Sequence, residues 1–302
     1  TRMSAALAAS RLVFTRQSFL SSGLLEELPS DDRVSPMVAA ARALEPPFDD
    51  FFVEHADSED GRRLARLCRS LRPPLRAALG AAGLLAPRER SGRRLHLLLP
   101  SATSVYPGRA RTDASSPWPM GIPRLKLPRG APSRSALKLE EALLVMASAQ
   151  LRDEWLRPGR SAVDLGASPG GWSFVLARLG LHVIAVDNGP IDKRIADGLA
   201  IEHRREDGFH FRPARPVDWL TCDIAASPLT VARLLVDWFT EGLCRGAVFN
   251  LKLPMRERYR TLRDCERVLR EALDVEGFRY TLAFKHLYHD REEVSGFFFR
   301  CE

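Results

Sequence analysis

The run Asp164-Leu165-Gly166-Ala167-Ser168-Pro169-Gly170-Gly171-Trp172 constrains this chain more than any other feature. An apolar strand, Ala162 to Leu165, leads into it, and an apolar helix, Ser173 to Leu179, leaves it. A second strand, His182 to Val186, ends at Asp187. Strand, glycine turn, helix, strand and terminal acid make half of a nucleotide-cofactor site at the carboxyl edge of a parallel sheet. Gly166, Gly170 and Gly171 let the backbone approach a ligand where a Cβ would collide. An acid at the tip of the second strand can accept both ribose hydroxyls of an adenosine.

The spacing narrows the ligand. A dinucleotide site wants G-x-G-x-x-G to cradle a pyrophosphate, and here the turn reads G-x-x-x-G-G with a proline inside it. No Gly-Lys-Ser/Thr follows, so it is not a phosphate loop of the Walker type. An acid before the turn and an acid closing the next strand suit a cofactor with a cationic, phosphate-free tail, such as S-adenosylmethionine. Asp164, Gly166, Ser168, Pro169 and Gly170 then line the methionine part, and Asp187 takes the ribose. Asp207, in Glu206-Asp207-Gly208-Phe209, accepts from the adenine amino group. Trp172 reads as a core helix residue rather than a cover for the pocket.

The pattern predicts an α/β fold in two parts. Residues 1–115 form an α+β region, with helices near Phe19 to Glu27 and Ser35 to Leu44 and a strand from Phe48 to Glu54. A basic helix from Gly61 to Leu71, a helix from Pro74 to Ala82 and a strand from Arg94 to Leu99 follow. Tyr106 to Pro132, rich in Pro, Gly and Arg, reads as a connector. Residues 116–302 hold that connector and a Rossmann-like domain. Its first helix spans Ser133 to Ala149 with Ser135 as its cap. Strands ending at Leu165, Val186, Cys222 and Leu251 alternate with helices. Phe278 to Phe284 and Val294 to Phe299 close a mostly parallel sheet with an antiparallel hairpin.

Composition sets the partners. With 302 residues the chain can hold two cores. Its net charge is +7, and from Arg62 to Arg94 ten arginines face one acid, Glu89. Such a block favours a phosphate backbone. The five cysteines are scattered with no C-x-x-C pair, which argues for a reducing compartment and against a zinc site or disulfide frame. No apolar run approaches a membrane span, and the start, at Thr1, lacks a secretory leader. The expectation is a cytoplasmic protein without metal, and nothing demands more than a monomer.

Only five of the 45 basic residues are lysines. Lysine can lose its proton when buried, whereas arginine effectively cannot. Lys252 follows a strand end, Lys138 lies on the helix before the glycine turn, and Asp223 ends the strand Trp219 to Cys222. With Glu293 they are the candidates for acting on a substrate. A ribose 2′-hydroxyl must lose a proton as it attacks a sulfonium methyl, and a desolvated lysine beside another cation has a depressed pKa. His289 is a reserve candidate for contacting RNA or capping the hairpin.

Several segments together resemble one family. They are Met120 to Lys126, Ala131 to Ala142, the Asp164 to Trp172 turn, Val186 to Pro190, Arg205 to Phe209, Phe249 to Met255 and Leu287 to Val294. They resemble the bacterial RlmM family of 23S ribosomal RNA 2′-O-ribose methyltransferases, and the likeness runs from about Arg11 to the end. The resemblance implies a THUMP-type RNA-binding domain, with its N-terminal part absent before Thr1, joined to a Rossmann-like methyltransferase domain. It implies methylation of a cytidine in domain V, on 23S rRNA or an early large-subunit assembly intermediate. It maps a Lys-Asp-Lys-Glu tetrad onto Lys138, Asp223, Lys252 and Glu293, with Lys252 the proton acceptor. It maps cofactor contacts onto Ser135, Ser168, Pro169, Gly170, Gly171, Asp187, Asp207 and Asp223. The family turn commonly carries cysteine where this chain has Ser168.

Two other classes fit the sequence less well. A non-catalytic ribosome-assembly protein would tend to lose Lys252 first. A base N-methylase more often carries Asn/Asp-Pro-Pro-aromatic after the strand ending at Asp223, where this chain has Ile224-Ala225-Ala226.

Overall fold

A computed structural model describes residues 12–86 and 90–301. Arg88 and Glu89 of the basic block, and Arg11 at the start of the family likeness, lie outside the described residues. The chain forms two compact units, one ending at Pro123 and the other starting at Arg124.

The first unit is built on a four-stranded sheet. Its elements are β1 (Leu20–Ser21), α1 (Val34–Arg42), β2 (Asp50–His55), α2 (Glu59–Arg63), α3 (Ala65–Ala81), β3 (Arg93–Ser101) and β4 (Ser104–Arg111). The strand order is β1-β4-β3-β2, with β2 and β3 parallel and the other pairs antiparallel. The α2–α3 pair makes the crossover that parallel neighbours require. Cys68, Leu71, Leu75 and Leu79 recur at helical spacing on α3 and pack with Met37, Ala41, Phe51, Val53, Leu95 and Leu97 in one core.

Four expectations are corrected in this unit. The segment from Phe19 to Glu27 is extended rather than helical: Leu20 and Ser21 pair with Arg109 and Gly108, and Leu25 bridges Val105. Tyr106 to Arg111 belongs to β4 rather than to a connector. Gly108 suits that strand because a Cβ there would collide with the Phe19 ring and the Leu20 carbonyl. The helix break falls at Leu64, not before Pro74, and α3 continues through Pro73 and Pro74. Both prolines lie on its exposed face, where water can satisfy the carbonyls they leave unbonded. The unit also extends past residue 115. Arg94 donates to Ser115 Oγ (3.1 Å) and the Ser116 carbonyl (2.7 Å), and Glu54 accepts from the Met120 amide.

The second unit carries α4 (Ala136–Met146), α5 (Ala149–Trp155), β5 (Ser161–Leu165), α6 (Gly171–Arg178), β6 (His182–Val186) and α7 (Lys193–Ala196). It continues with β7 (Ile201–Arg204), β8 (Val217–Cys222), α8 (Pro228–Thr240), β9 (Cys244–Lys252), α9 (Arg258–Val275), β10 (Tyr280–Lys285) and β11 (Glu293–Arg300). Its seven strands run β10-β11-β9-β8-β5-β6-β7. The five from β9 to β7 are parallel, and β11 lies antiparallel between β9 and β10. The central strands are mostly apolar because helices cover both faces, with Asp164, Thr221 and Asn250 as buried polar exceptions. Trp219, Val248, Phe297 and Phe299 share one core with Leu139, Trp172, Val175 and Leu176. This is the mostly parallel sheet with a terminal hairpin that the sequence predicts.

Among the described residues no helix is long and apolar enough to cross a membrane, and no cluster of His, Cys, Asp or Glu is placed to hold a metal ion.

Candidate active site

Parallel strands deliver their side chains to one sheet edge, and the expected residues gather at the carboxyl ends of β5, β6, β8 and β9. The glycine turn leaves β5 at Gly166, whose amide bonds the Val186 carbonyl at 3.0 Å. Gly170 has φ +107°, and a Cβ there would meet Ile195. At Gly171 a Cβ would collide with the Ser135 and Ser133 hydroxyls. The missing side chain therefore lets the Ser133–Ser135 turn pack against the start of α6. Trp172 is 3% exposed, and its Nε1 donates to the Ser135 carbonyl at 3.0 Å. It is a core residue that ties the same turn down.

Ser135 sits at the start of α4, but its hydroxyl does not cap the helix; it bonds Ser133 Oγ at 2.6 Å. Asp164 also departs from expectation. It does not line the crevice: it is 1% exposed, accepting from Ser173 Oγ at 2.6 Å and Thr221 Oγ1 at 2.8 Å. Burial pushes its carboxyl up to about 7. It braces β5 against β8 and α6. Asp187 pins the turn from below, accepting from the Ser168 amide (3.0 Å) and the Gly189 amide (2.7 Å). It forms no ion pair among the described residues, so lone pairs remain for hydroxyl donors. The Ser168 hydroxyl donates to the Pro190 carbonyl at 2.8 Å. Asp207 is half-exposed and accepts from the Phe209 amide at 2.9 Å, which holds its pKa below the ordinary value.

The four substrate-side candidates come from four elements and meet. Lys138 on α4 donates to Glu293 Oε1 at 2.7 Å and stands 3.7 Å from Asp223 Oδ2. Lys252, the last residue of β9, lies 3.9 Å from Asp223 Oδ1 and donates to the Asp223 carbonyl at 3.4 Å. Glu293 opens β11 directly across from Lys252. Antiparallel pairing at this point thus sets the acid beside the lysine.

The two lysines differ. Burial works against a charge on Lys138, but Asp223 and Glu293 outweigh it and raise its pKa. This corrects the expectation of a depressed value for a desolvated lysine here; two flanking carboxylates hold the proton on. Glu293 answers with a pKa near 2, because its bonds from Lys138 and the Arg291 amide overcome burial. Lys252 is more open, its side chain 34% exposed against 15% for Lys138.

Sequence reasoning missed the layer beneath. Asn250 is fully buried and donates to Asp223 Oδ1 at 3.2 Å. Its own oxygen accepts from Ser295 Oγ at 3.0 Å, and Asp290 accepts from the Ser295 and Leu287 amides. Burial pushes Asp290 up to about 7. Glu141, 1% exposed on α4, accepts from the Tyr288 and His289 amides (2.9 Å each) and from His289 Nδ1 (2.6 Å). His289 is thereby tied inward rather than capping the hairpin. The available signal was a polar residue, Asn250, between Phe249 and Leu251 in a buried strand.

The basic block of the first unit divides. Arg94 is buried and pairs with Asp50 through two bonds of 2.7 and 3.0 Å, so it serves that fold. Arg63 pairs with Glu59 and Asp60, while Arg62, Arg66 and Arg69 are exposed without an acidic partner among the described residues.

Two family models match the chain: ribosomal RNA large subunit methyltransferase M, N-terminal, over residues 32–111, and FtsJ-like methyltransferase over residues 131–253. The chain is 48% identical over 286 residues to the ribosomal RNA large subunit methyltransferase M of Methylococcus capsulatus, covering 95% of this chain and 80% of that protein. The protein of the same name from Cellvibrio japonicus is 47% identical, with 95% and 81% covered. Among solved structures, TrmN from Thermus thermophilus aligns at 18% identity with a TM-score of 0.38, over 94% of this chain and 83% of that one.

Proposed function

This chain belongs to the ribosomal RNA large subunit methyltransferase M family, and we propose that it methylates the 2′-hydroxyl of a cytidine ribose in domain V of 23S rRNA. The observation that carries this reading is the convergence of Lys138, Asp223, Lys252 and Glu293 at the carboxyl edge of the sheet. A base nitrogen needs no such set, whereas a ribose hydroxyl needs a proton acceptor and a cation to steady the developing oxyanion.

The acids of the rim fit S-adenosylmethionine. Asp187 and Asp207 stand at or just past the ends of β6 and β7, where carboxylates can accept from ribose hydroxyls and an adenine amino group; Asp207 is also bonded to the Phe209 amide and His210 Nδ1. When bound, the cofactor supplies an electrophilic methyl group. Asp187 holds the ribose diol, Asp207 faces the adenine, and the Ser168 to Gly171 backbone shapes the methionine end. Lys138 stays an ammonium, fixed by Glu293, and orients the incoming hydroxyl. Lys252 in its neutral form accepts the hydroxyl proton as the oxygen takes the methyl. Asp223 bridges both lysines and sets their spacing. Most of the rate gain on this account comes from in-line positioning.

Arg62, Arg66 and Arg69 support the reading of the first unit as an RNA-binding, THUMP-type region. The site of action is the cytoplasm, on naked 23S rRNA or an early large-subunit particle, with the protein as a monomer. Labelled S-adenosylmethionine and unmodified 23S rRNA test the proposal. A single 2′-O-methyl cytidine in domain V is the expected product. A methyl mark on a base, or cofactor binding without any transfer, would contradict it.

A further inference from the structure

The second unit holds a cleft of about 390 Å³ that none of the four tetrad residues lines. Arg124, Arg134, Leu127, Leu137, Tyr288 and His289 contribute to its walls. Leu137 immediately precedes Lys138, and the turn that carries Tyr288 and His289 runs on into Glu293. Two of the segments that line the cleft thus also carry tetrad residues.

Three features give it a chemistry. Its aromatic wall is held in place: buried Glu141 bonds the Tyr288 and His289 amides and the His289 ring, and the two rings meet edge to face at 5.1 Å. Arg124 and Arg134 make part of its lining cationic. The stretch 124–134 carries Arg124, Lys126, Arg129 and Arg134 and no acid, and none of the four forms an ion pair among the described residues. Leu127 and Leu137 add apolar lining. An aromatic ring, apolar side chains and guanidinium groups lacking anions are what an unstacked nucleotide requires: a π-face for the base and cations for its phosphates.

We propose that this cleft binds an unpaired nucleotide next to the target ribose, with the base on Tyr288 and the flanking phosphates on Arg124 and Arg134. The assignment rests on the methyltransferase reading above and adds the subsite that sets the RNA register. An RNA strand anchored one nucleotide away presents only one 2′-hydroxyl to Lys252.

The test uses the full chain with unmodified 23S rRNA. It compares Tyr288→Leu, Tyr288→Phe and the double variant Arg124→Ala/Arg134→Ala with the wild type. The Tyr288 backbone, which Glu141 holds, is untouched by either substitution. Tyr288→Leu is expected to raise KM for RNA about tenfold or more, the loss of one base–aromatic stack. Tyr288→Phe, which keeps a ring to stack on, is expected to raise KM less than Tyr288→Leu, and calorimetry finds S-adenosylmethionine affinity unchanged in both. The arginine pair is expected to flatten the log–log salt dependence of RNA binding by about 1 to 2. An unaltered KM in Tyr288→Leu with an unaltered salt slope overturns the assignment. So does an equal defect in Leu and Phe variants accompanied by lost cofactor affinity, which marks a structural role alone. A wild-type protein that binds the cofactor yet methylates no RNA overturns the methyltransferase reading, and this subsite with it.

Discussion

The glycine turn and the tetrad sit at the same sheet edge, yet they are made in opposite ways. The turn is contiguous, from Asp164 to Gly171, and its shape is fixed by backbone: amides on Asp187, a left-handed Gly170, and no Cβ at Gly171. The tetrad takes one side chain from each of α4, the end of β8, β9 and β11, and its shape is fixed by charge. The turn should therefore fail through sterics, with stability and cofactor affinity falling together. The tetrad should fail through protonation and donor geometry, with folding less affected.

The largest effect is expected at Gly170. Gly170→Val puts a branched side chain at φ +107° and against Ile195. A cost of about 3 kcal/mol or more follows from the strain and the overpacking together. Thermal unfolding would show it, and a melting temperature equal to the wild type would break the claim that backbone shape governs this turn.

Next in size is the Lys138–Glu293 pair. Glu293 titrates near 2 in the fold, below its ordinary 4.5. A depressed acid stabilises fully above its ordinary value and loses that share as pH falls through the folded value, at about 1.4 kcal/mol per unit. The gap in unfolding free energy between wild type and Glu293→Gln, of order 3 kcal/mol at pH 6 on that scale, should close between pH 4.5 and 2. A gap that is constant over this range would show that charge does not hold the pair.

Smaller again is Asn250→Leu, which removes the donor to Asp223 Oδ1 and leaves a buried lone pair without its partner. A loss of about 1–3 kcal/mol, read mainly in kcat, is expected. Asn250→Asp should be worse than Asn250→Leu, because it sets a second carboxylate against Asp223. The reverse order would mean that Asn250 only fills space.

The same contrast explains what was legible. The turn, the strand ends at Asp187 and Asp223 and the closing hairpin are local patterns, and a sequence shows them. The edge segment at Leu20–Ser21 and the strand at Tyr106 to Arg111 were hidden because Pro107 and Gly108 read as loop. The approach of the Phe19 ring and the Leu20 carbonyl explains that glycine. Lys138 and Lys252 were visible as rare lysines, but their difference was not. Two acids hold the proton on one of them, and those acids arrive from β8 and β11. Asp164 looked like a crevice residue because it lies near the end of an apolar strand; Ser173, nine residues on, and Thr221 of β8 hold it inside. Glu141 stayed unread for the same reason, since its partners are the Tyr288 and His289 amides of a turn that only the fold brings near.

The most direct test exchanges each lysine for arginine, which keeps the charge and cannot take up a proton at working pH. Single-turnover methyl transfer would be measured for Lys138→Arg and Lys252→Arg, with S-adenosylmethionine binding measured alongside. The account predicts that Lys138→Arg stays within about tenfold of the wild type, while Lys252→Arg falls by roughly 10² to 10⁴ with cofactor binding intact. Transfer that survives in Lys252→Arg and vanishes in Lys138→Arg would contradict the division of roles between the two.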